Sequence, residues 1–222
     1  MRIQRSIAAL ASFSIFTLAA ASALAISPNG ERLYRFKLQA AGGKVGDAVL
    51  SIGKTETIGG VDLRPVSIDA RTSGMGATIF KAKASGTTWV DSHWRPVRAR
   101  WEAQLPRSYR IVKAKYDGKR VEGVDLRDGK PRYKLKRTLG TAATDLVAAF
   151  AWLMQIDLKP GSKIWVPAYD GRFIYNLTAR PKKEIEIQIP AGPRRAVPVE
   201  VTLSRGKRFK KKVTYYIDPK TR

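Results

Sequence analysis

The chain has a single histidine, so acid–base chemistry through an imidazole can involve only His93. Asp91 stands two residues before it, and on a strand two such side chains share a face, which is what an Asp-His pair needs. A nucleophile is harder to place. Ser92 points to the opposite face, Ser51, Ser67, Ser73 and Ser108 are equally eligible, and no G-x-S-x-G elbow occurs. Asp91 and His93 are therefore weak catalytic candidates, set against the plainer reading of a surface histidine beside Trp94 at a strand end. One histidine, no cysteine and no D-x-D-x-D-G loop leave no expected metal site, and no cofactor is implied. Glu56, Glu102, Glu122, Glu184 and Glu186 offer carboxylates for glycoside hydrolysis, but nothing in their spacing selects two of them. Gly42-Gly43-Lys44-Val45-Gly46 has the look of a phosphate loop, yet it lies between two strands with no helix following, and reads as a hairpin turn.

The basic clusters carry more signal. Arg98 and Arg100 share a strand face, and Arg132, Lys134 and Lys136 share another. Arg205, Lys207, Arg208, Lys210, Lys211 and Lys212 form a dense run near the C-terminus. These are the candidate anion-binding residues. Tyr133, Phe209 and Tyr215 interleave with them, a pattern that can bind single-stranded nucleic acid but that an ordinary solvated strand face also shows.

Which anion is at issue depends on the compartment. Arg2 and Arg5, the mostly apolar run from Ile7 to about Ala20, and Ala23-Leu24-Ala25 read as a signal peptide over residues 1–25, cleaved after Ala25. The apolar run is shorter than the roughly 20 residues of a spanning helix and is interrupted by Ser12, Ser14 and Thr17. No cysteine follows the cleavage site, so a lipid-modified N-terminus is chemically excluded, and folding must proceed without disulfides. Residues 26–222 suffice for a single domain. The formal net charge is +24, and the leader removes only two of the positive charges. Inside the cytoplasm such a field suggests nucleic acid. Export makes intracellular nucleic acid an unexpected partner and favours anionic lipid, lipopolysaccharide or an acidic envelope polymer, or another envelope protein. The periplasm is the expected location, with secretion or tethering at the inner membrane as alternatives.

The elements that must position these residues are strands. Tyr34, Phe36 and Leu38 alternate with Arg35 and Lys37; Ala48, Leu50 and Ile52 share a face, as do Val66, Ile68 and Ala70. Val97, Ala99, Trp101 and Ala103 alternate with Arg98, Arg100 and Glu102. Late in the chain Ile185, Ile187 and Ile189 oppose Lys182, Glu184, Glu186 and Gln188, and Val199, Val201 and Leu203 oppose Glu200, Thr202 and Ser204. Asp117-Gly118, Asp128-Gly129, Pro160-Gly161, Asp170-Gly171, Ala191-Gly192-Pro193 and Arg205-Gly206 separate them, so neighbouring strands should pair antiparallel through tight turns. One segment departs from this rhythm. Leu146 to Met154 is apolar all round and follows Thr144 and Asp145, which suit a helix N-terminus, so a short buried helix is expected. The fold class is mainly β: a strongly curved antiparallel meander sheet, like an incomplete barrel, wrapped around that helix.

A series of short motifs runs in order along the chain: Gly43-Lys44-Val45-Gly46 opening a strand through Ala48 to Gly53, Trp89-Val90-Asp91 followed by Arg95-Pro96, and Asp145-Leu146 starting the apolar helix. Pro160-Gly161 before the strand Ile164 to Ala168, and Asp170-Gly171 in a hairpin, complete it. In this order the motifs resemble the exported bacterial family known as domain of unknown function 3108. The resemblance implies export and a β-rich fold and brings no catalytic residues. It also implies a further strand after Tyr216-Ile217-Asp218-Pro219, so a chain ending at Arg222 should have an open edge or a more open cavity. A non-catalytic protein binding an anionic or amphipathic envelope component is the leading expectation; an envelope-polymer hydrolase and a protein-binding assembly scaffold are the alternatives. N-terminal sequencing of protein recovered from a periplasmic fraction should begin at Ile26, and recovery of an intact Met1 there contradicts the leader.

Overall fold

The computed structural model describes residues 17–19, 25–26, 30–40, 43–189, 192–206 and 209–219. The period-two segments form two sheets. In the first, β1 (Thr17–Ala19), β2 (Ala25–Ile26), β3 (Arg32–Ala40), β4 (Gly43–Ile52), β5 (Glu56–Ile58) and β6 (Val61–Thr72) are followed by a short helix, α1 (Met75–Ile79). Then come β7 (Lys83–Val90), β8 (Pro96–Leu105), β9 (Ser108–Asp117), β10 (Arg120–Arg127) and β11 (Lys130–Thr138). Their spatial order is β1-β3-β4-β6-β7-β8-β9-β10-β11, with β2 on β3 and β5 on β6, so from β3 onward the sheet is an antiparallel meander. The second sheet contains β12 (Thr144–Asp145), β13 (Ile164–Tyr169), β14 (Ile174–Pro181), β15 (Ile185–Ile189), β16 (Gly192–Arg205) and β17 (Phe209–Ile217), in the order β12-β13-β14-β16-β15 with β17 also on β16. Among the described residues no strand pairing joins the two sheets into a closed barrel, although β1 of the first lies beside β17 of the second. Among the described residues no helix is long and apolar enough to cross a membrane.

Turn chemistry sets the meander. Asp128 and Gly129 both have positive φ (49° and 79°) in the two-residue loop between β10 and β11, the backbone that matches strand twist in tight hairpins. Between the sheets lies α2 (Leu146–Leu153), packed against β6 and β7 on one side and β12 and β13 on the other. Val147, Ala148, Ala149, Ala151 and Leu153 are buried, and Phe150 meets Tyr215 of β17 edge to face at 4.4 Å between centroids. Tyr34, Leu50 and Val66 from the first sheet, and Leu177, Val199 and Val201 from the second, complete this core.

Three details differ from the sequence reading. The β12–β13 pair is parallel, because α2 and the chain after it supply the crossover that a tight turn cannot. Helix α1 is an addition; its five residues are too few to leave a periodic signature. Strand β15 forms at the sheet edge, paired among the described residues with β16 alone, and there Ile185 is 44% exposed and Ile187 half-buried.

Helix α2 is capped as its sequence suggests. Asp145, fully buried, accepts from the backbone N–H groups of Val147 and Ala148 through Oδ1, both at 2.8 Å. Burial pushes its carboxyl up to about 6, against the lowering pull of the Ala148 amide, the Thr88 hydroxyl and the Val147 amide. The folded state therefore holds this proton to higher pH than the unfolded chain, with its ordinary value of 3.8. The stability contributed by this group is complete below about pH 4 and is lost as pH rises through about 6. In urea unfolding followed across this range, Asp145→Asn should remove that slope while keeping an acceptor for both amides. Asp145→Ala should cost about 1–2 kcal/mol through loss of the cap.

Candidate functional site: an apolar cavity with a cationic rim

Alternation along the strands turns one face of each toward α2. Near the end where β6 gives way to β7, these inward side chains line a partly open apolar cavity of about 70 Å³. Phe36 and Leu38 of β3, Ile68 of β6, Leu105 of β8 and Val213 and Tyr215 of β17 line it, with Phe150 of α2 at its inner wall. A smaller recess between α2 and the end of β17, lined by Leu153, Met154 and Ile217, lies beyond Phe150 and Tyr215. Burial pushes the Tyr215 phenol well above its ordinary range, so its hydroxyl is neutral at physiological pH.

The polar lining of the main cavity is Arg71, Thr72 and Lys83. Arg71 and Lys83 are exposed register partners across β6 and β7, one step out of phase with the inward Ile68, Ala70 and Ala84, so they edge the cavity from the outer face, where Arg71 also lies beside its β4 partner Asp47. Among the described residues, no carboxylate lines either cavity. The lining, apolar within and with cations at the rim, matches an amphipathic anion in chemistry, while a volume of about 70 Å³ is small for an acyl chain, so side chains must move to admit one. Nothing in the local sequence singled out Arg71 and Lys83; only the β6–β7 register sets them side by side.

The predicted basic residues divide between two regions. Arg98 and Arg100 of β8 lie in register with Lys115 and Lys113 of β9, which lead through Glu122 and Val124 of β10 to Lys136 and Lys134 of β11. Four strands thus present one outward basic face roughly 15 Å across at strand spacing, including Lys113 and Lys115, which the sequence reading did not select. Its charges are partly compensated: Arg100 pairs with Glu102 at 2.6 Å, and Glu122 is held below the usual carboxylate range by Arg120 and Lys136. Arg98 lies flat over Trp89 at 4.4 Å. Arg132 is exposed at the start of β11. In the second region Lys210 and Lys212 are exposed on β17, and Arg205 ends β16. Lys207 and Arg208, and the side chain of Lys211, lie outside the described residues.

The weak catalytic pair takes a different geometry. Strand β7 ends at Val90, and residues 91–95 form the turn into β8, with Trp94 at a φ of 61°. Asp91 Oδ1 accepts from the backbone N–H groups of His93 and Arg95, each at 2.8 Å, while the exposed His93 ring reaches Ser92 Oγ at 3.3 Å. The expected shared strand face is absent because there is no strand there. The carboxylate holds the turn, and the imidazole points elsewhere.

Other acidic groups are similarly engaged. Asp125 is buried and ion-paired with Arg110 at 2.9 Å, and Arg110 also donates to the Asp170 carbonyl at 3.3 Å. Glu102 accepts from the Tyr109 hydroxyl and from Arg100, which together hold it below its ordinary range. Among the described residues no group of three or more histidines and carboxylates could hold a metal ion.

No curated protein matches the chain. Among solved structures it is similar to a β-barrel-like protein of the domain of unknown function DUF1849 from Brucella abortus, with a TM-score of 0.46 and 10% identity over 88% of this chain and 79% of that one. A family model described as protein of unknown function, DUF3108, matches residues 33–222, and the chain belongs to that family.

Proposed function

We propose that this is a non-catalytic cell-envelope protein, exported to the periplasm with loss of residues 1–25, and hence of β1 and the first residue of β2, that binds an amphipathic anion such as a phospholipid or lipopolysaccharide. The acyl chain would enter the cavity, and the headgroup would face Arg71 and Lys83. The observation that carries this reading is the pairing of an apolar cavity, whose described lining holds no carboxylate, with two register-matched cations at its rim. The outward basic face of β8 to β11 supports it, since such a face draws the protein toward an anionic bilayer, more weakly as salt rises. Edge strand β15, with Ile185 exposed, favours a second reading in which another envelope protein adds a strand there.

Native mass spectrometry after incubation with a short-chain phosphatidylglycerol should show one lipid retained. Ala84→Trp, which places an indole in the cavity, should reduce retention at least tenfold, with thermal unfolding verifying that the variant folds. Replacing Arg71 and Lys83 together by glutamate should weaken binding of the anionic lipid and leave a neutral analogue of equal chain length unaffected. No retained lipid, together with no sedimentation on anionic vesicles at moderate salt, overturns the proposal.

A further inference from the structure

Beyond the cavity, the turn between β13 and β14 builds an arrangement that the outer basic face does not. Asp170 Oδ1 accepts from the backbone N–H groups of Arg172 (2.8 Å) and Phe173 (2.6 Å), and Phe173 returns its carbonyl to the Asp170 amide at 3.0 Å. That oxygen is thus engaged with the turn backbone rather than with a guanidinium. Gly171, at a φ of +93°, lets the turn lie against Val112, where a Cβ would collide with the valine side chain. The turn is consequently fixed by backbone geometry and close packing.

This turn presents Arg172 and Phe173. The Arg172 guanidinium lies 4.5 Å from the Tyr133 ring centroid and 4.7 Å from that of Phe173, and its Nη2 is 3.3 Å from the Tyr133 hydroxyl. Arg205, at the end of β16, lies 3.5 Å from the Phe173 centroid and 6.0 Å from that of Tyr175. Phe173 thus carries two guanidinium groups, and the edge contacts of Tyr133 and Tyr175 with it, each at 6.3 Å between centroids, hold its ring in place. Among the described residues neither arginine has a carboxylate within salt-bridge distance, and Arg172 Nε is buried without an acceptor. Two like charges gathered on one ring repel each other. The ring contacts hold both guanidinium groups at Phe173, and their N–H groups that are neither buried nor engaged by Tyr133 are the means of recognising an anion.

We infer that Arg172 and Arg205 form a preorganised clamp for a phosphate group, with Phe173 as the platform that holds them. A phosphate accepts paired hydrogen bonds from planar guanidinium edges and neutralises the repulsion between them, which a single exposed lysine cannot do with the same geometry. The clamp lies at the same end of the sheets as the cavity mouth. Along β16, Arg205 is four residues from Val201, the register partner of the cavity residue Val213, or roughly 13 Å at strand rise. It can therefore serve an anionic group distinct from one facing Arg71 and Lys83, and it does not require the cavity to be occupied.

The test is a titration of the full exported chain followed by the arginine Nε–Hε resonances in NMR, with inorganic phosphate in one arm and a short-chain phosphatidic acid in the other. Saturable shifts of Arg172 and Arg205 with phosphate alone are expected, and Arg205→Gln and Arg172→Lys should each weaken the apparent affinity about tenfold or more. Arg172→Lys keeps the charge and loses the planar guanidinium, so an unchanged affinity in that variant contradicts the role of geometry. Ala84→Trp should leave the phosphate response intact while weakening the phosphatidic acid response, which separates failure of the cavity from failure of the clamp. If only phosphatidic acid shifts these resonances, the clamp is specific for the lipid-borne group. Absence of saturable shifts in both arms, with the protein folded, overturns it.

Discussion

A helix with no polar side must be enclosed, and its first amides must find an acceptor without water. In α2 both requirements meet at Asp145, whose single oxygen takes two backbone N–H groups in a site fully closed to solvent. The surrounding architecture follows. The first sheet curls over one side of the helix and the second over the other, and the segment containing the helix becomes the crossover that makes β12 and β13 parallel. Thr88, entirely buried, accepts from the Trp101 indole at 3.4 Å and lies against the Asp145 carboxylate, so a polar thread runs from the cap into the first sheet. A carboxylate this buried is costly, and the amides it satisfies offset part of that cost.

The same constraint accounts for the cavity. A helix of eight residues is about 12 Å long, whereas a strand of ten residues spans about 33 Å. The helix fills only part of the length that the sheets enclose. Toward the β6–β7 end, Phe36, Leu38, Leu105 and Val213 face inward where α2 reaches them only through Phe150, and the space between them stays partly open. Charge is organised separately, on the outer face of β8 to β11 and at the ends of strands. Several carboxylates are committed to turns, caps and ion pairs: Asp91 and Asp170 hold turns, Asp145 caps α2, and Asp125 neutralises Arg110. The excess of lysine and arginine is consequently free to act at a distance, within a Debye length of about 8 Å at physiological salt.

Local features were legible in the sequence because they depend on neighbours in the chain. Thr144-Asp145 followed by nine apolar residues specified a capped, buried helix, and Asp128-Gly129 specified a tight hairpin. Features set by register were not legible. Arg98 and Arg100 join Lys134 and Lys136 on one face only because β9 and β10 intervene with matching alternation, and Arg71 meets Lys83 only across the β6–β7 pair. Asp91 and His93 do not share a strand face because the strand ends at Val90 and turns through Trp94, which fits the plainer reading of a surface histidine at a strand end. Ile185 follows the alternation of a half-buried strand, but it is exposed where β15 forms the sheet edge. Arg172 was missed for a related reason: its stacking partner Tyr133 is 39 residues away in sequence.

The most direct measurement of the central claim, that the partly filled interior receives an acyl chain, is intermolecular NOE spectroscopy on the isotope-labelled protein with an unlabelled short-chain anionic lipid. Contacts between the lipid methylenes and the methyl groups of Leu38, Ile68, Leu105 and Val213, which line the cavity, are the predicted result. Contacts confined to the outward residues of β8 to β11, with the cavity methyl groups unperturbed, would contradict it.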